Sequence, residues 1–134
     1  MTIMSEDGEV IVGIGGSTIL HATYSTAICR INFAKIKIRD ALDFLKTGTC
    51  ARNRVKKTLE QMKIIKAEFI GLAPNEAVFD CDNVNVEVPW KGNISDEVCS
   101  CMDLFTTDDG RLLIDELIAL LEYSEMNGLS VVQP

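Results

Sequence analysis

Residues 36–66 read IKIRDALDFLKTGTCARNRVKKTLEQMKIIK, and this stretch decides the predicted fold because it holds two amphipathic segments around a turn. The apolar side chains of the first segment recur at helical spacing: they are Ile38, Ala41, Leu42 and Leu45. Gly48 follows where a helix end needs a residue that tolerates a left-handed backbone. Lys46 lies in the last turn, where the helix dipole favours a cation. The sequence therefore predicts a short helix that ends at Gly48.

The second segment has one apolar face and one basic face. Thr49 is expected to cap it, and the predicted helix covers about 50–63. Its apolar stripe consists of Ala51, Val55, Leu59 and Met62. The opposite face, flanked by Arg52 and Arg54, consists of Asn53, Lys56, Lys57 and Gln61. Two helices joined by a glycine-containing turn predict a helix-turn-helix arrangement.

Extended segments are predicted after these helices. Residues 67–73 are typical of a strand, and Pro74-Asn75-Glu76 is typical of a turn. Residues 77–81 and 84–88 alternate apolar and polar side chains, as two further strands do. Pro89 is expected to end the last strand, and Trp90 is expected to cover one end of the core.

With these extended segments, the region resembles the winged helix-turn-helix superfamily over roughly residues 28–83. The run Arg52-Asn53-Arg54-Val55-Lys56-Lys57-Thr58-Leu59, continued by Met62 and Ile65, is similar to the recognition helix of that family and its exit into the wing. The resemblance implies that duplex DNA is contacted by Lys46, Arg52, Asn53, Arg54, Lys56 and Lys57. Arg54 and Lys46 would contact phosphates, and the others would face base edges in the groove. The alternative interpretation is a solvated helix face.

Charge is segregated along the chain. The formal net charge is −7, yet residues 30–66 carry a net charge of +8 and the remainder carries −15. An acidic protein is a poor candidate for nucleic-acid binding, but phosphate contact needs only a basic face. Five acidic residues in the predicted wing oppose contact between that wing and a phosphate backbone: Glu68, Glu76, Asp80, Asp82 and Glu87.

Length and composition predict one domain, residues 1–134, with an ordinary globular balance of 47% hydrophobic and 25% charged residues. No apolar run approaches a membrane span, and the acidic N-terminus does not have the pattern of a secretory signal. The five cysteines are odd in number and scattered, which favours a reducing compartment. We therefore expect a cytoplasmic protein, or a nuclear one if the source is eukaryotic or viral.

The flanking segments complete the predicted fold class. Residues 9–14 are typical of a strand. A helix over about 24–34 is preferred because a winged helix needs a first helix there, although a hairpin within 17–34 is an alternative. Ser95 is expected to cap a helix, and the most strongly apolar helix covers about 111–126 and ends at Gly128. The prediction is an α+β fold: a winged-helix-like core with a small antiparallel sheet and an added C-terminal helical pair within about 94–128.

The last helix has two interpretations. Its apolar residues span more than half its circumference, so it is either buried on two sides of one chain or shared with a second copy. A homodimer through Leu113–Leu121 would present two basic helices, as paired half-site readers do. The alternative is that this helix simply completes the core of a monomer.

Motifs for catalysis or metal binding are weak. His21 is the only histidine and has no recognisable partners in the sequence, so a packed or surface histidine is expected. Cys99 and Cys101 provide half of a metal site at most. Asp108-Asp109-Gly110 followed by Glu116 is similar to a calcium-loop exit but lacks the first ligand, so a turn and helix start is expected. The sequence predicts no catalytic residues, no metal, no cofactor and no enzymatic activity.

Two functions follow. The first is a dimeric DNA-binding protein, a transcriptional regulator with a basic recognition helix. The second is an acidic protein-interaction module, such as an inhibitor or immunity-type protein that covers a basic partner.

Overall fold

Six helices and a small sheet form the fold of this computed structural model, which describes residues 1–88 and 94–134. The helices are α1 (Ser17–Arg30), α2 (Ala34–Lys37), α3 (Arg39–Thr47), α4 (Val55–Ile70), α5 (Cys101–Leu104) and α6 (Leu113–Asn127). The strands are β1 (Thr2–Ser5), β2 (Ile11–Gly13) and β3 (Val131–Val132). The predicted α+β class with a small antiparallel sheet is confirmed.

The sheet joins distant parts of the chain. Its order is β2-β1-β3, and β1 pairs antiparallel with both neighbours. Cys50 extends the pairing, because its backbone N–H and C=O exchange hydrogen bonds of 2.9 Å with Val131. The short connection between α3 and α4 is thereby attached to the last strand.

The core lies where α4, α6 and the sheet meet. Apolar side chains of α4 and α6 are buried against one another: Val55, Met62, Ile65, Phe69, Leu113, Ile114, Leu117, Leu120 and Leu121. The rings of Phe69 and Phe105 pack with centroids 6.0 Å apart. Because α6 contacts α4 on one side and the three strands on the other, its outer side remains for solvent.

A buried polar contact fixes α3 against α4. The N–H of Ala41 lacks an intrahelical acceptor because it lies in the first turn of α3, and no side chain from the N-terminal flank caps it. The Gln61 side-chain oxygen on α4 accepts that N–H at 2.9 Å, and the Gln61 amide donates to Asp40 at 3.0 Å. Arg54 completes the cluster with 2.7 Å bonds to Asp40 and Asp43. We call these residues, Asp40, Asp43, Arg54 and Gln61, the α3–α4 latch.

Two predicted helix ends are confirmed. Gly48 ends α3 at φ 74°, and Gly128 ends α6 at φ 64°, so both adopt the left-handed backbone that glycine tolerates. The last helix lies within two residues of its predicted bounds. Its apolar side chains are buried inside this chain, which supports the monomer-core interpretation, and the predicted homodimer through Leu113–Leu121 gains no support.

The predicted position of the first helix is wrong. We expected a helix over 24–34 or a hairpin, whereas α1 begins at Ser17 and ends at Arg30. The threonines that suggested strands are accommodated in the helix, because Thr23 and Thr26 donate their hydroxyls to the carbonyls of Ile19 and Ala22.

The start of the basic helix also differs from the prediction. Thr49 does not cap it; instead Arg52–Arg54 forms a 3₁₀ turn, and α4 begins at Val55. The reason is that Cys50 is held in the bridge to Val131, so the chain must turn before it can become helical. The helix predicted over 50–63 is therefore present, but it begins later than predicted, at Val55.

The predicted strand at 67–73 is wrong. The helix α4 continues to Ile70, because Ile65 and Phe69 extend the apolar stripe into the core beside Phe105. Here tertiary packing overrides local strand propensity.

The strands predicted at 77–81 and 84–88 are also wrong, since residues 77–88 contain no strand. The Thr26 hydroxyl accepts the N–H of Val78 and lies 3.2 Å from its carbonyl oxygen. The backbone polar groups of Val78 therefore bond to α1 and not to a neighbouring strand of a wing. The expectations for Pro89 and Trp90 lie outside the described residues. The winged-helix resemblance as a family relationship stays a prediction.

The predicted C-terminal helical pair is one full helix preceded by a single turn. Residues 94–100 form no helix, and α5 begins only at Cys101, whose N–H is held by the carbonyl of Leu72 at 2.9 Å. None of the helices in the described segments is long and apolar enough to cross a membrane.

We expect Gln61→Met to lower the free energy of unfolding by about 1–3 kcal/mol, because it leaves the buried Ala41 N–H without an acceptor at nearly unchanged volume. Urea denaturation followed by circular dichroism measures this. Lys63→Met, which introduces a methionine at an exposed site on α4, should change the free energy of unfolding by no more than about 0.5 kcal/mol. Equal effects of the two changes would refute the capping role of Gln61.

Candidate functional site

The six residues assigned to DNA contact occupy three separate segments. Lys46 is in the last turn of α3, Arg52, Asn53 and Arg54 form the 3₁₀ turn, and Lys56 and Lys57 lie in the first turn of α4. They do not form one face of one helix, because the turn interrupts it.

Two of these six residues are engaged by carboxylates of the same chain. Arg54 belongs to the α3–α4 latch, and its hydrogen bonds to Asp43 and Asp40 raise the pKa of its guanidinium. Arg52 forms an exposed ion pair with Glu6 at 3.3 Å. Lys46, Asn53, Lys56 and Lys57 are exposed and form no ion pair within residues 1–88 and 94–134. The basic surface is therefore smaller than the sequence implied.

A second charged surface lies on the outer side of α6 and the turn between β1 and β2. Its acidic and aromatic side chains lie two helical turns apart on α6, Asp115 with Glu122 and Glu116 with Tyr123. The turn adds Glu6, Asp7 and Glu9. We call this set the acidic face. The two parts are joined directly, since the Tyr123 hydroxyl donates to Asp7 at 2.7 Å.

Local hydrogen bonds hold the β1–β2 turn in place. The Asp7 carboxylate accepts the Ser5 hydroxyl at 2.7 Å and the Glu9 N–H at 3.1 Å, and Gly8 adopts φ 73°. Ser5 is fully buried, and its hydroxyl oxygen in turn accepts the N–H of Val10. The hydrogen bond from Ser5, followed by the one from Tyr123, lowers the pKa of the Asp7 carboxyl. The carboxyl is therefore charged at neutral pH.

Cations border the acidic face without covering it. Lys66 pairs with Asp115 at 2.7 Å, and Arg111 lies 3.6 Å from Glu116 and 3.3 Å from Asp109. In the described part of the chain, Glu9 and Glu122 have no ion pair. Exposed carboxylates of this kind can accept hydrogen bonds from lysine and arginine side chains of another protein.

Tyr123 adds an aromatic group to this negative surface. Its hydrogen bond to Asp7, with smaller contributions from desolvation and the charges of Asp7 and Glu9, raises the pKa of the phenol to about 12. The hydroxyl is therefore a proton donor at neutral pH, and its bond to Asp7 holds the end of the side chain beside the β1–β2 turn. Tyrosine is enriched at protein interfaces because it combines apolar area with a polar end.

Sequence reasoning anticipated an acidic surface but not these residues. The signal was present: Asp115, Glu116, Glu122 and Tyr123 recur at helical spacing opposite the apolar side of α6. The β1–β2 turn could not be added, because its contact with Tyr123 spans most of the chain.

The weak motifs separate in the structure. Cys101 is fully buried, its thiol donates to the carbonyl of Ala73, and burial raises its pKa to about 11, whereas Cys99 is exposed. These two cysteines therefore do not form half of a metal site. The turn at Asp108–Gly110 precedes α6 as predicted, with Gly110 at φ 84°.

Comparison with known proteins gives one family. The family model described as Immunity protein 70 matches residues 7–132, which include every helix of the structure. No curated protein and no solved structure matches the chain.

This match corrects the leading functional prediction. The prediction of a DNA-binding transcriptional regulator is wrong, because the family description denotes an immunity protein, and such a protein acts on a protein partner. The alternative prediction, a protein-interaction module of inhibitor or immunity type, is the one supported. The assignment of the six basic residues to DNA rested on the interpretation that this match replaces.

We expect Tyr123 to titrate at about 12 in a Tyr24→Phe background, in which it is the single remaining tyrosine. The folded state favours the protonated phenol, so this contribution to stability is present below the usual pKa near 10 and is lost as the pH rises through about 12. Phenolate absorbance, with circular dichroism as a check of folding, measures the pKa.

Asp7→Asn should move that pKa back toward 10 because it removes the charge and the carboxylate acceptor. Asp96→Asn, the same change at an exposed acid outside the acidic face, should leave it in place. A Tyr123 that titrates near 10 in the folded Tyr24→Phe chain would contradict the hydrogen bond.

Proposed function

The chain belongs to the immunity protein 70 family, and we propose that it neutralises a toxin by binding it, with the acidic face as the contact surface for a basic region of that toxin. The observation that carries the proposal is the family match over residues 7–132. The family description fits an inhibitor that acts by binding its partner, so the chemistry that we propose is recognition of one protein by another.

Electrostatics support the acidic face as the contact. The chain has a formal net charge of −7, and most of its acids lie outside residues 30–66. A negative surface attracts a basic partner over a distance of about a Debye length, ~8 Å at physiological salt, and raises the association rate. Such complementarity also selects against acidic partners.

Rigidity supports the same surface. The α6 backbone is anchored by buried residues on its inner side, and the β1–β2 turn is fixed by Ser5, Asp7 and Tyr123. Side chains that are already ordered lose less conformational entropy on binding than mobile ones. Tyr123 lies between the acidic residues of the helix and those of the turn, where a central aromatic contact contributes most to affinity.

The basic surface is the competing contact. Exposed cations lie along α2 to α4: Lys35, Lys37, Arg39, Lys56, Lys57 and Lys63. In that region Arg54 is already held by Asp40 and Asp43, and Arg39, Asp40, Asp43 and Lys57 line one shallow polar depression. Both surfaces contain internal ion pairs, but the formal net charge of −7 attracts a basic partner and repels an acidic one, so we assign the contact to the acidic face.

A neutralisation assay tests the proposed activity. Candidate toxins from the source genome are expressed alone and together with this chain in a sensitive host. We expect one toxin to arrest growth alone and to be neutralised, and to co-purify with the chain, when both are made. Failure to neutralise or bind any toxin of that genome would refute the proposal.

Charge reversal tests the surface. We expect Glu9→Lys combined with Glu122→Lys to lower the association rate with the toxin about tenfold or more at low salt, because two attractive charges become repulsive. The difference should shrink as salt is raised, since both sites are exposed. Stopped-flow kinetics across a salt series measures this.

Lys56→Glu combined with Lys57→Glu is the matched control, since it reverses two exposed charges of opposite sign on α4. This variant should associate as fast as the wild type or faster. If the control loses binding while the acidic-face variant keeps it, the contact lies on the basic surface and the assignment is wrong.

A further inference from the structure

One cluster of possible metal ligands lies away from the acidic face. His21 on α1 meets Asp80, Cys81 and Asp82 of the segment that follows Phe79, and one donor atom from each lies within 4.8 Å of the other three. The His21 Nε2 is 3.1 Å from an Asp80 carboxylate oxygen. The partners that sequence reasoning could not find for the single histidine are thus provided by a segment about 60 residues further along the chain.

The segment that carries three of these residues is fixed to α1 by buried hydroxyls. Thr26 accepts the N–H of Val78 at 3.0 Å, and its hydroxyl proton, shared with the Ala22 carbonyl, also lies toward the Val78 carbonyl at 3.2 Å. Ser25 accepts the N–H of Cys81 at 2.9 Å. Ser25 and Thr26 are both fully buried. The position of the Cys81 backbone relative to His21 is therefore set by the scaffold and does not depend on an ion.

The donor set is one imidazole nitrogen, one thiol sulfur and two carboxylates. Zn²⁺ takes such nitrogen, sulfur and oxygen ligands in a tetrahedron at about 2.0–2.3 Å, so its ligand atoms lie roughly 3.3–3.8 Å apart. The four donors must therefore close inward by about an ångström. Calcium and magnesium prefer oxygen alone and would not use the imidazole or the thiol.

Access and charge favour a cation at this place. The His21 and Asp80 side chains are 43% and 33% exposed, so an ion can reach them from solvent. A cavity lined by Ser17, Thr18, Lys46 and Phe79 opens onto the same pair. The two aspartates bring negative charge to the cluster, and an imidazole in its neutral form offers one nitrogen lone pair to a metal.

We propose that His21, Asp80, Cys81 and Asp82 bind one zinc ion. The ion replaces the hydrogen bond between His21 and Asp80 with two metal–ligand bonds. The imidazole binds as the neutral ring, so the proton on its coordinating nitrogen is released to solvent and the other ring nitrogen carries the single N–H. The ion also displaces the thiol proton of Cys81, which is released to solvent. No electron transfer is involved. The bound ion connects the 80–82 segment to α1 through side chains, in addition to the existing backbone contacts, so it stabilises the fold.

Cobalt substitution tests the site in the full chain, after chelator treatment and under a phosphine reductant. One equivalent of Co²⁺ should produce a thiolate-to-metal charge-transfer band and the d–d bands of a tetrahedral site, and Zn²⁺ should abolish both. Zn²⁺ should also raise the melting temperature, whereas Ca²⁺ should not. Absence of these bands with excess Co²⁺ would overturn the proposal.

Ligand variants assign the residues. Cys81→Ser should remove the charge-transfer band, and His21→Ala should weaken zinc binding at least ~10-fold, since even partners outside the ligand set are worth ~10–100-fold. His21 is an exposed helix position, so that variant should fold, as circular dichroism will verify.

Cys99→Ser and Cys29→Ser are the thiol controls, because both cysteines are exposed and lie outside the cluster. Both variants should keep the charge-transfer band and the zinc affinity. If either control loses the band while Cys81→Ser retains it, the thiol ligand is misassigned and the proposed site is wrong. This experiment does not involve the toxin, so its outcome is independent of the proposed function.

Discussion

The buried amide of Gln61 is the contact on which the arrangement of this molecule depends. It satisfies the otherwise uncapped start of α3 and at the same time fixes Asp40, so two helices acquire one relative position. From the end of α3 the chain passes through Gly48 to Cys50, which pairs with the last strand. The sheet then holds the β1–β2 turn beside α6. The geometry of the acidic face is therefore connected, step by step, to a polar contact in the interior.

Charge segregation along the sequence becomes a spatial separation in the fold, and this accounts for both the wrong and the right functional prediction. The basic segment forms α2 to α4, and α6 with the β1–β2 turn carries many of the acids. A basic helix following a turn resembles a DNA-reading element when it is viewed alone. Arg54 and Arg52 are instead partly neutralised by carboxylates of their own chain. Within residues 1–88 and 94–134, Lys56 and Lys57 on α4 and Glu122 on the acidic face have no ion pair.

Sequence reasoning succeeded where the determining contacts are local. Helical periodicity located α3 and α6, and the glycines at 48 and 128 marked their ends. It failed where distant residues decide: Phe69 keeps α4 helical by packing on Phe105, and Thr26 holds Val78 away from any strand. The acidic face and the metal-ligand cluster each join segments more than 50 residues apart, so neither has a contiguous motif.

The pairing of β1 with β3 has a consequence for how the molecule is made. Residues 2–5 leave the ribosome long before their strand partner at 131–132 has been synthesised. Contacts of such long sequence separation carry a large loop-closure entropy and form slowly. Helices α1, α3 and α4 can assemble before residues 131–132 are made, whereas β1 and β3 can pair only once those residues are present. A nascent chain can therefore fold its first helices well before β3 joins β1 and completes the sheet.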